Sequence, residues 1–272
     1  MLKYAFAFLL VFNSTTLLAQ DYENEYQNIF VWQVKQVNEF IERFNNNDST
    51  LLKKYTGDNV SANLISRERL ILSLFNAEKK DWDKTEVKSF IKSVDDKANP
   101  RFLSMYGDKW YASLNCDINW KGKRENVVLS LKLIRLPSNG YKWIITAVNA
   151  KFLNTVAPAS AVKQAEFTMP AAVDKTTSLN PMSHGTDFMD IYQVNTDKKN
   201  IANYFDEVQN LDAATQRFIQ EIINSNAQIT RVNNITYHFN QIDGWAFDIQ
   251  QYNRQTRNSG WLISKLTKTS AN

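Results

Sequence analysis

Trp110-Tyr111-Ala112-Ser113-Leu114-Asn115-Cys116-Asp117-Ile118-Asn119-Trp120 is the stretch whose reading decides the fold. Its apolar members Trp110, Ala112, Leu114, Cys116, Ile118 and Trp120 fall on every second position, and an extended strand places alternate residues on one face. The opposite face then carries Tyr111, Ser113, Asn115, Asp117 and Asn119. Downstream, Lys121-Gly122-Lys123-Arg124 reads as a turn into residues 127–136, where Val127, Leu129, Leu131 and Leu133 alternate again. Pro137-Ser138-Asn139-Gly140 turns the chain once more, into residues 141–148. Connections this short join antiparallel neighbours, so these runs form a meander. A short strand is also expected over 102–106, ahead of a Gly107-Asp108 turn.

Upstream of Pro100 the period is that of a helix. Phe30, Val34, Val37, Ile41 and Phe44, with Tyr26 one turn earlier, make a single apolar stripe. Asn45-Asn46-Asn47-Asp48 ends it, because these residues prefer turns and caps to helix interiors. Ser66 predicts an N-cap for a helix over 67–76 that buries Leu70, Ile71, Leu74 and Phe75. A third helix is expected after Asp83 or Lys84, burying Val87, Phe90, Ile91 and Val94. Helices followed by a meander with one apolar face to cover make an α+β arrangement.

Residues 154–183 hold Pro158, Pro170 and Pro181 among many Ala, Ser and Thr, without a strong period. They read as a linker or an extended wrap over the surface. Beyond them the same order returns in shorter form. Helical segments are expected over 187–192, 198–208 and 213–224, then strands over 229–241, 245–252 and 261–267. Phe90-Ile91 is echoed by Phe218-Ile219, and Asn139-Gly140 before Trp143 by Ser259-Gly260 before Trp261. The expected organisation is a signal peptide over 1–20, an α+β domain over 21–153, the linker over 154–183 and a second α+β domain over 184–272. The two helix-then-meander units are a duplication or two unrelated halves.

The start, MLKYAFAFLLVFNSTTLLAQ, has a positive Lys3, an apolar run from Tyr4 to Phe12 and a small-residue ending. That is the form of a secretory signal cleaved near Ala19/Gln20, with an uncleaved anchor as the alternative. The expected mature protein is exported, periplasmic or extracellular, with no membrane span. At 272 residues, one large or two ordinary domains fit. The 32 basic and 28 acidic residues are too balanced for a nucleic-acid or anionic-membrane partner. With two histidines, one cysteine and seven scattered glycines, no zinc site, internal disulfide or glycine-rich phosphate cradle is expected. No metal and no cofactor is expected either. Cys116, on the aromatic face of its strand, reads as a small core residue.

The long first helix, the Arg67-Glu-Arg-Leu-Ile-Leu-Ser-Leu-Phe75 helix and the tryptophan-bearing meander resemble the nuclear-transport-factor-two-like, cone-shaped α+β folds. The resemblance covers 22–150 and, less well, 185–268. That fold normally inserts two short strands before its third helix, and none is evident between Asn76 and Lys84. Ile235-Thr-Tyr-His-Phe, Gly244-Trp-Ala-Phe and Asn258-Ser-Gly-Trp-Leu-Ile263 are similar to uncharacterised exported proteins of Gram-negative bacteria. That similarity implies an envelope location and brings no activity with it. Cone-shaped folds include enzymes, ketosteroid isomerase and scytalone dehydratase among them, as well as binding and assembly modules.

Candidate residues follow from the faces. If the polar face of 110–120 were concave, Tyr111 and Asp117 would be its first acid–base candidates. A solvated strand face is the simpler explanation, and antiparallel sheets often have one. Trp82, within Lys79-Lys80-Asp81-Trp82-Asp83, is a stacking contact for a ligand or a staple folded back before the third helix. Lys121, Lys123 and Arg124 cluster as a polar hairpin tip. In the last hairpin, Ile235, Tyr237 and Phe239 must share a side with Trp245, Phe247 and Ile249. A three-residue turn, Ile242-Asp243-Gly244 with Gly244 left-handed, achieves this and sets His238 opposite Asp248 on the other face. That pair is a surface contact or a carboxylate-oriented, pH-sensitive histidine. The functional expectation is an exported, non-catalytic binding or assembly module for a protein, peptide or glycan at the cell envelope. The alternative is a small-molecule isomerase or dehydratase using a pocket in one cone-shaped domain.

Overall fold

The computed structural model describes residues 32–46, 66–154, 167–256 and 258–270. The signal peptide expected over 1–20, the first positions of the apolar stripe (Tyr26 and Phe30) and residues 155–166 of the expected linker lie outside the described residues. The architecture is α+β, built on one six-stranded antiparallel sheet. By packing the chain divides into two compact units, Met1–Asp95 with Gln251–Leu262, and Asp96–Gln250 with Ile263–Asn272.

The first unit is mainly helical. Helix α1, Val37–Asn45, buries Val37, Phe40, Ile41 and Phe44 and ends at Asn46, which sits left-handed with φ 56°. It begins later than the apolar stripe suggests. Val34 is bridge-paired instead, its N–H donating to the Ser259 carbonyl and its own carbonyl accepting from Trp261 N–H. Gly260, at φ 84°, permits this approach, because a Cβ there would stand 1.9 Å from the Val34 carbonyl oxygen. Helix α2, Arg67–Ser73, starts where Ser66 caps the Arg69 N–H. It stops short of the expected 67–76 because Asn258 takes over its end, donating to the carbonyls of Ser73 and Phe75 and accepting from Ala77 N–H. Helix α3, Lys84–Val94, is capped by the Asp83 carboxylate, which accepts from Thr85 and Glu86 N–H.

Arg67 ties these helices together. Its guanidinium donates to Phe44 O at 3.0 Å and to Val94 O at 3.1 Å, carbonyls at the C-terminal ends of α1 and α3. A buried cation on helix C-terminal carbonyls satisfies orphan acceptors and faces the negative end of each dipole. Burial lowers its pKa, and the nearby Asp95 charge opposes that shift.

The second unit holds most of the sheet. Strands β1 (Trp110–Trp120), β2 (Lys123–Arg135) and β3 (Tyr141–Asn149) form the expected meander. After helix α4, Ala213–Ile223, come β4 (Ala227–Phe239), β5 (Trp245–Tyr252) and β6 (Gly260–Lys268). The chain passes between the units within β5 and within β6. The strand order is β3-β2-β1-β4-β5-β6, so both meanders belong to a single sheet, joined where β1 pairs with β4 from Trp110↔Phe239 to Trp120↔Ala227. Two register shifts interrupt that ladder, between Asn115 and Cys116 and between Asp117 and Ile118.

One face of β1 and β4 is packed with rings. Trp110 stacks on Phe239 at 5.3 Å and meets Trp143 edge-on at 5.4 Å, and Phe239 stacks on Phe247 at 5.2 Å. Farther along the same face of β1, Cys116 is fully buried as a small apolar side chain opposite Val127. The edge at β3 is covered. Trp143 N–H donates to Leu179 O, Ile145 N–H to Tyr204 O, and Asp206 N–H to Ile145 O. Thus the Pro-rich stretch meets β3 at Leu179. The strand expected over 102–106 is absent, because Gln241 satisfies the backbone there, accepting from Ser104 N–H and donating to Ser104 O. Residues 187–192 and 198–208 form short 3-10 turns rather than full helices.

Candidate functional site

Three neighbouring strands build the site on the sheet face opposite the rings. The β4–β5 register is Tyr237↔Ile249, His238↔Asp248 and Phe239↔Phe247, with Gly244 left-handed at φ 79°, the arrangement a three-residue turn requires. On the other side of β4, His238 lies opposite Tyr111, and Thr236 lies opposite Ser113. Alternation therefore delivers Tyr111, Ser113, Thr236, His238 and Asp248 to one face without any special loop.

The imidazole is held from three sides. Nδ1 is 2.7 Å from Asp248 Oδ1, and Nε2 is 3.0 Å from Ser113 Oγ. The Tyr111 ring stacks on it with centroids 4.4 Å apart and planes at 19°. A carboxylate only accepts, so the network assigns the ring hydrogen to Nδ1, and Nε2 of the neutral ring accepts from the Ser113 hydroxyl. The His238–Ser113 contact is a diagonal one, within reach across a sheet for a ring-sized side chain. His238 and Asp248 keep 22% and 24% of their side-chain surface, enough to be touched from solvent. Burial, and then the Asp248 charge, push the Tyr111 phenol up, so it remains a neutral O–H at neutral pH. Beside this group, Gln250 Nε2 donates to Thr236 Oγ1 at 3.1 Å.

The residues singled out in the sequence have different fates. His238 and Asp248 meet. Tyr111 joins them. Asp117, on the same strand as Tyr111, does not; it lies beyond the first register shift and pairs with Arg124 at 2.5 Å. Hydrogen bonds from Arg124 and Asn233 hold its carboxyl below the ordinary value. Six residues of strand separate Tyr111 from Asp117, roughly 20 Å, so they share no site. Trp82 is half-buried and folded back, its Nε1 donating to Asn76 O at 2.8 Å and its ring edge-on to Phe75 at 5.2 Å. Ser113 completes the constellation but was not among the candidates. Its strand face was legible; its proximity to His238 depends on the β1–β4 pairing across more than a hundred residues.

Among the described residues, no group of three or more His, Cys, Asp or Glu side chains is arranged to hold a metal ion. No helix among them is long and apolar enough to cross a membrane. Compared with known proteins, the chain matches no family model, no curated protein and no solved structure.

Proposed function

We propose that the protein is exported after cleavage near Ala19/Gln20 and acts at the cell envelope as a binding module. The ligand, a protein segment, peptide or glycan, is received on the polar face of β1, β4 and β5. The observation that carries this reading is the Tyr111–His238 stack, with Ser113 and Asp248 on the two ring nitrogens. Rings locked in place offer stacking surface and hydrogen-bonding edges at little ordering cost, which is what a hydroxyl- or amide-bearing ligand needs. The sheet order supports a duplicated pair of meanders meeting at β1 and β4, since it reads 1-2-3 outward on one side and 4-5-6 on the other. Helices ahead of an antiparallel sheet support the likeness to the cone-shaped folds.

A second reading, a small-molecule enzyme, is favoured by one observation. A histidine oriented by a carboxylate is the usual form of a general base. In that reading His238 takes the place that Tyr111 and Asp117 were expected to share.

The test is an NMR titration of the mature protein with soluble peptidoglycan fragments and with short envelope peptides. Perturbations centred on Tyr111, Ser113, Thr236 and His238, with affinity reduced about tenfold or more by Tyr111→Ala, support the binding reading. Perturbations elsewhere, or none from either probe, overturn it. Intact mass of exported protein tests the cleavage; a species retaining Met1 refutes it.

A further inference from the structure

We infer that Ser113, His238 and Asp248 form a nucleophile–base–carboxylate relay that accepts an acyl group from an ester onto Ser113 Oγ. This goes beyond the binding reading, because it assigns a covalent reaction to a site so far described only by its contacts.

The argument is geometric. A serine hydroxyl is a weak nucleophile until a base removes its proton as the new bond forms. His238 Nε2 stands 3.0 Å from Ser113 Oγ, and the opposite ring nitrogen is 2.7 Å from Asp248. Both distances are those of hydrogen bonds that serve a triad, and the tautomer they assign is the one such a relay needs. Each member is on a strand, so the constellation is positioned by ladder hydrogen bonds. The Tyr111 ring at 4.4 Å fixes the imidazole plane as a further support. Asp248 is a positioning residue here, acting through His238.

The step balances without any added reagent except water. Ser113 Oγ attacks the ester carbonyl carbon, and its proton passes to His238 Nε2. The tetrahedral adduct collapses, the bond to the alkoxy group breaks, and His238 returns the proton to the departing alcohol. Water then attacks the acyl-serine with His238 again as base, releasing a carboxylic acid and restoring the hydroxyl. Thr236, opposite Ser113, is placed to donate to the oxyanion. Its oxygen already accepts from Gln250, which leaves its own hydrogen for a new acceptor. A single hydroxyl donor is weaker than a preorganised pair of donors. The substrates that fit are therefore esters with a good leaving group, reaching an open sheet face.

The experiment treats the mature full chain with p-nitrophenyl acetate and, separately, with a fluorophosphonate probe, followed by intact mass and peptide mapping. The expected result is one adduct, on Ser113, lost in Ser113→Ala. His238→Gln and Asp248→Asn are each expected to slow acylation by at least about tenfold. Asp248→Asn should lower kcat with KM nearly unchanged, which loss of a structural contact alone would not do. Where His238→Gln fails to fold, His238→Asn serves in its place, and Ser113 acylation as fast as in the wild type overturns the relay. Adducts only on surface lysines or tyrosines, or Ser113 labelling indifferent to His238, overturn the inference. Protein that binds the envelope fragments yet resists both reagents overturns the relay and leaves the binding reading standing. Protein that is acylated yet binds none of them does the reverse.

Discussion

The two faces of the central strands are made from alternate residues of the same segments, and they do opposite work. On one face Trp110, Phe239 and Phe247 lie in a column of stacked rings, and Cys116 is sealed among apolar neighbours. On the other, Tyr111, Ser113, His238 and Asp248 are linked through hydrogen bonds and one ring stack, each still partly open to solvent. Burial makes the first face the source of stability. Partial exposure makes the second face nearly free of stability consequences but chemically available. Stability and chemistry are thus separated by a single residue step along the chain.

The largest expected effect is on the ring face. Phe239→Ala removes the ring held between Trp110 and Phe247 and should cost about 3–5 kcal/mol, read from the shift in urea-unfolding midpoint. A loss below about 1 kcal/mol would mean that this column is not the core.

Next comes the alkaline behaviour of Cys116. Burial, and then the Asp117 charge, push the thiol up to about 12 from an ordinary 9.0. The unfolded chain gives up that proton first, so the stabilising contribution is complete below the ordinary value and is lost as pH rises toward the folded one. The wild-type protein should lose roughly 2 kcal/mol more than Cys116→Ala between about pH 8 and 10.5. In native protein the thiol should also react slowly with a disulfide reagent, and quickly in urea. Rapid native labelling would reverse the assignment of the faces.

Asp117 sharpens the contrast from the acid side. Its folded pKa is depressed, chiefly by its hydrogen bond to Arg124, so its contribution is present above the ordinary carboxylate range and disappears as pH falls through the folded value. The Asp117→Asn variant should show a shallower acid limb in stability against pH, and an unchanged limb would mean that the Arg124 pair is not formed in solution. The smallest effect belongs to the polar face: His238→Ala should change unfolding free energy by less than about 1 kcal/mol. A loss comparable to that of Phe239→Ala would erase the distinction between the faces.

Much of this was legible residue by residue. The alternation over 110–120 located β1, Ser66 and Asp83 marked the starts of α2 and α3, and the side-matching of Tyr237 and Phe239 with Phe247 and Ile249 required the observed hairpin register. These signals are local, because strand period, caps and hairpin registers are set by residues a few positions apart. The misreadings share one cause. Val34 was placed in a helix and Phe102 in a strand, but Ser259, Trp261 and Gln241, distant in sequence, claim their backbone or that of their neighbours.

By itself, then, the amino-acid order determined the α+β class, the faces of the strands, the core position of Cys116 and the meeting of His238 with Asp248. Only the tertiary structure decided that both meanders share one sheet, that Asp117 pairs with Arg124, and that Ser113 reaches the free nitrogen of His238. The physical reason lies in the pairing of β1 with β4. Any two strands of suitable pattern satisfy each other's backbone hydrogen bonds, so which pair forms is chosen by how well whole faces bury together, a property of the packed chain and not of either strand.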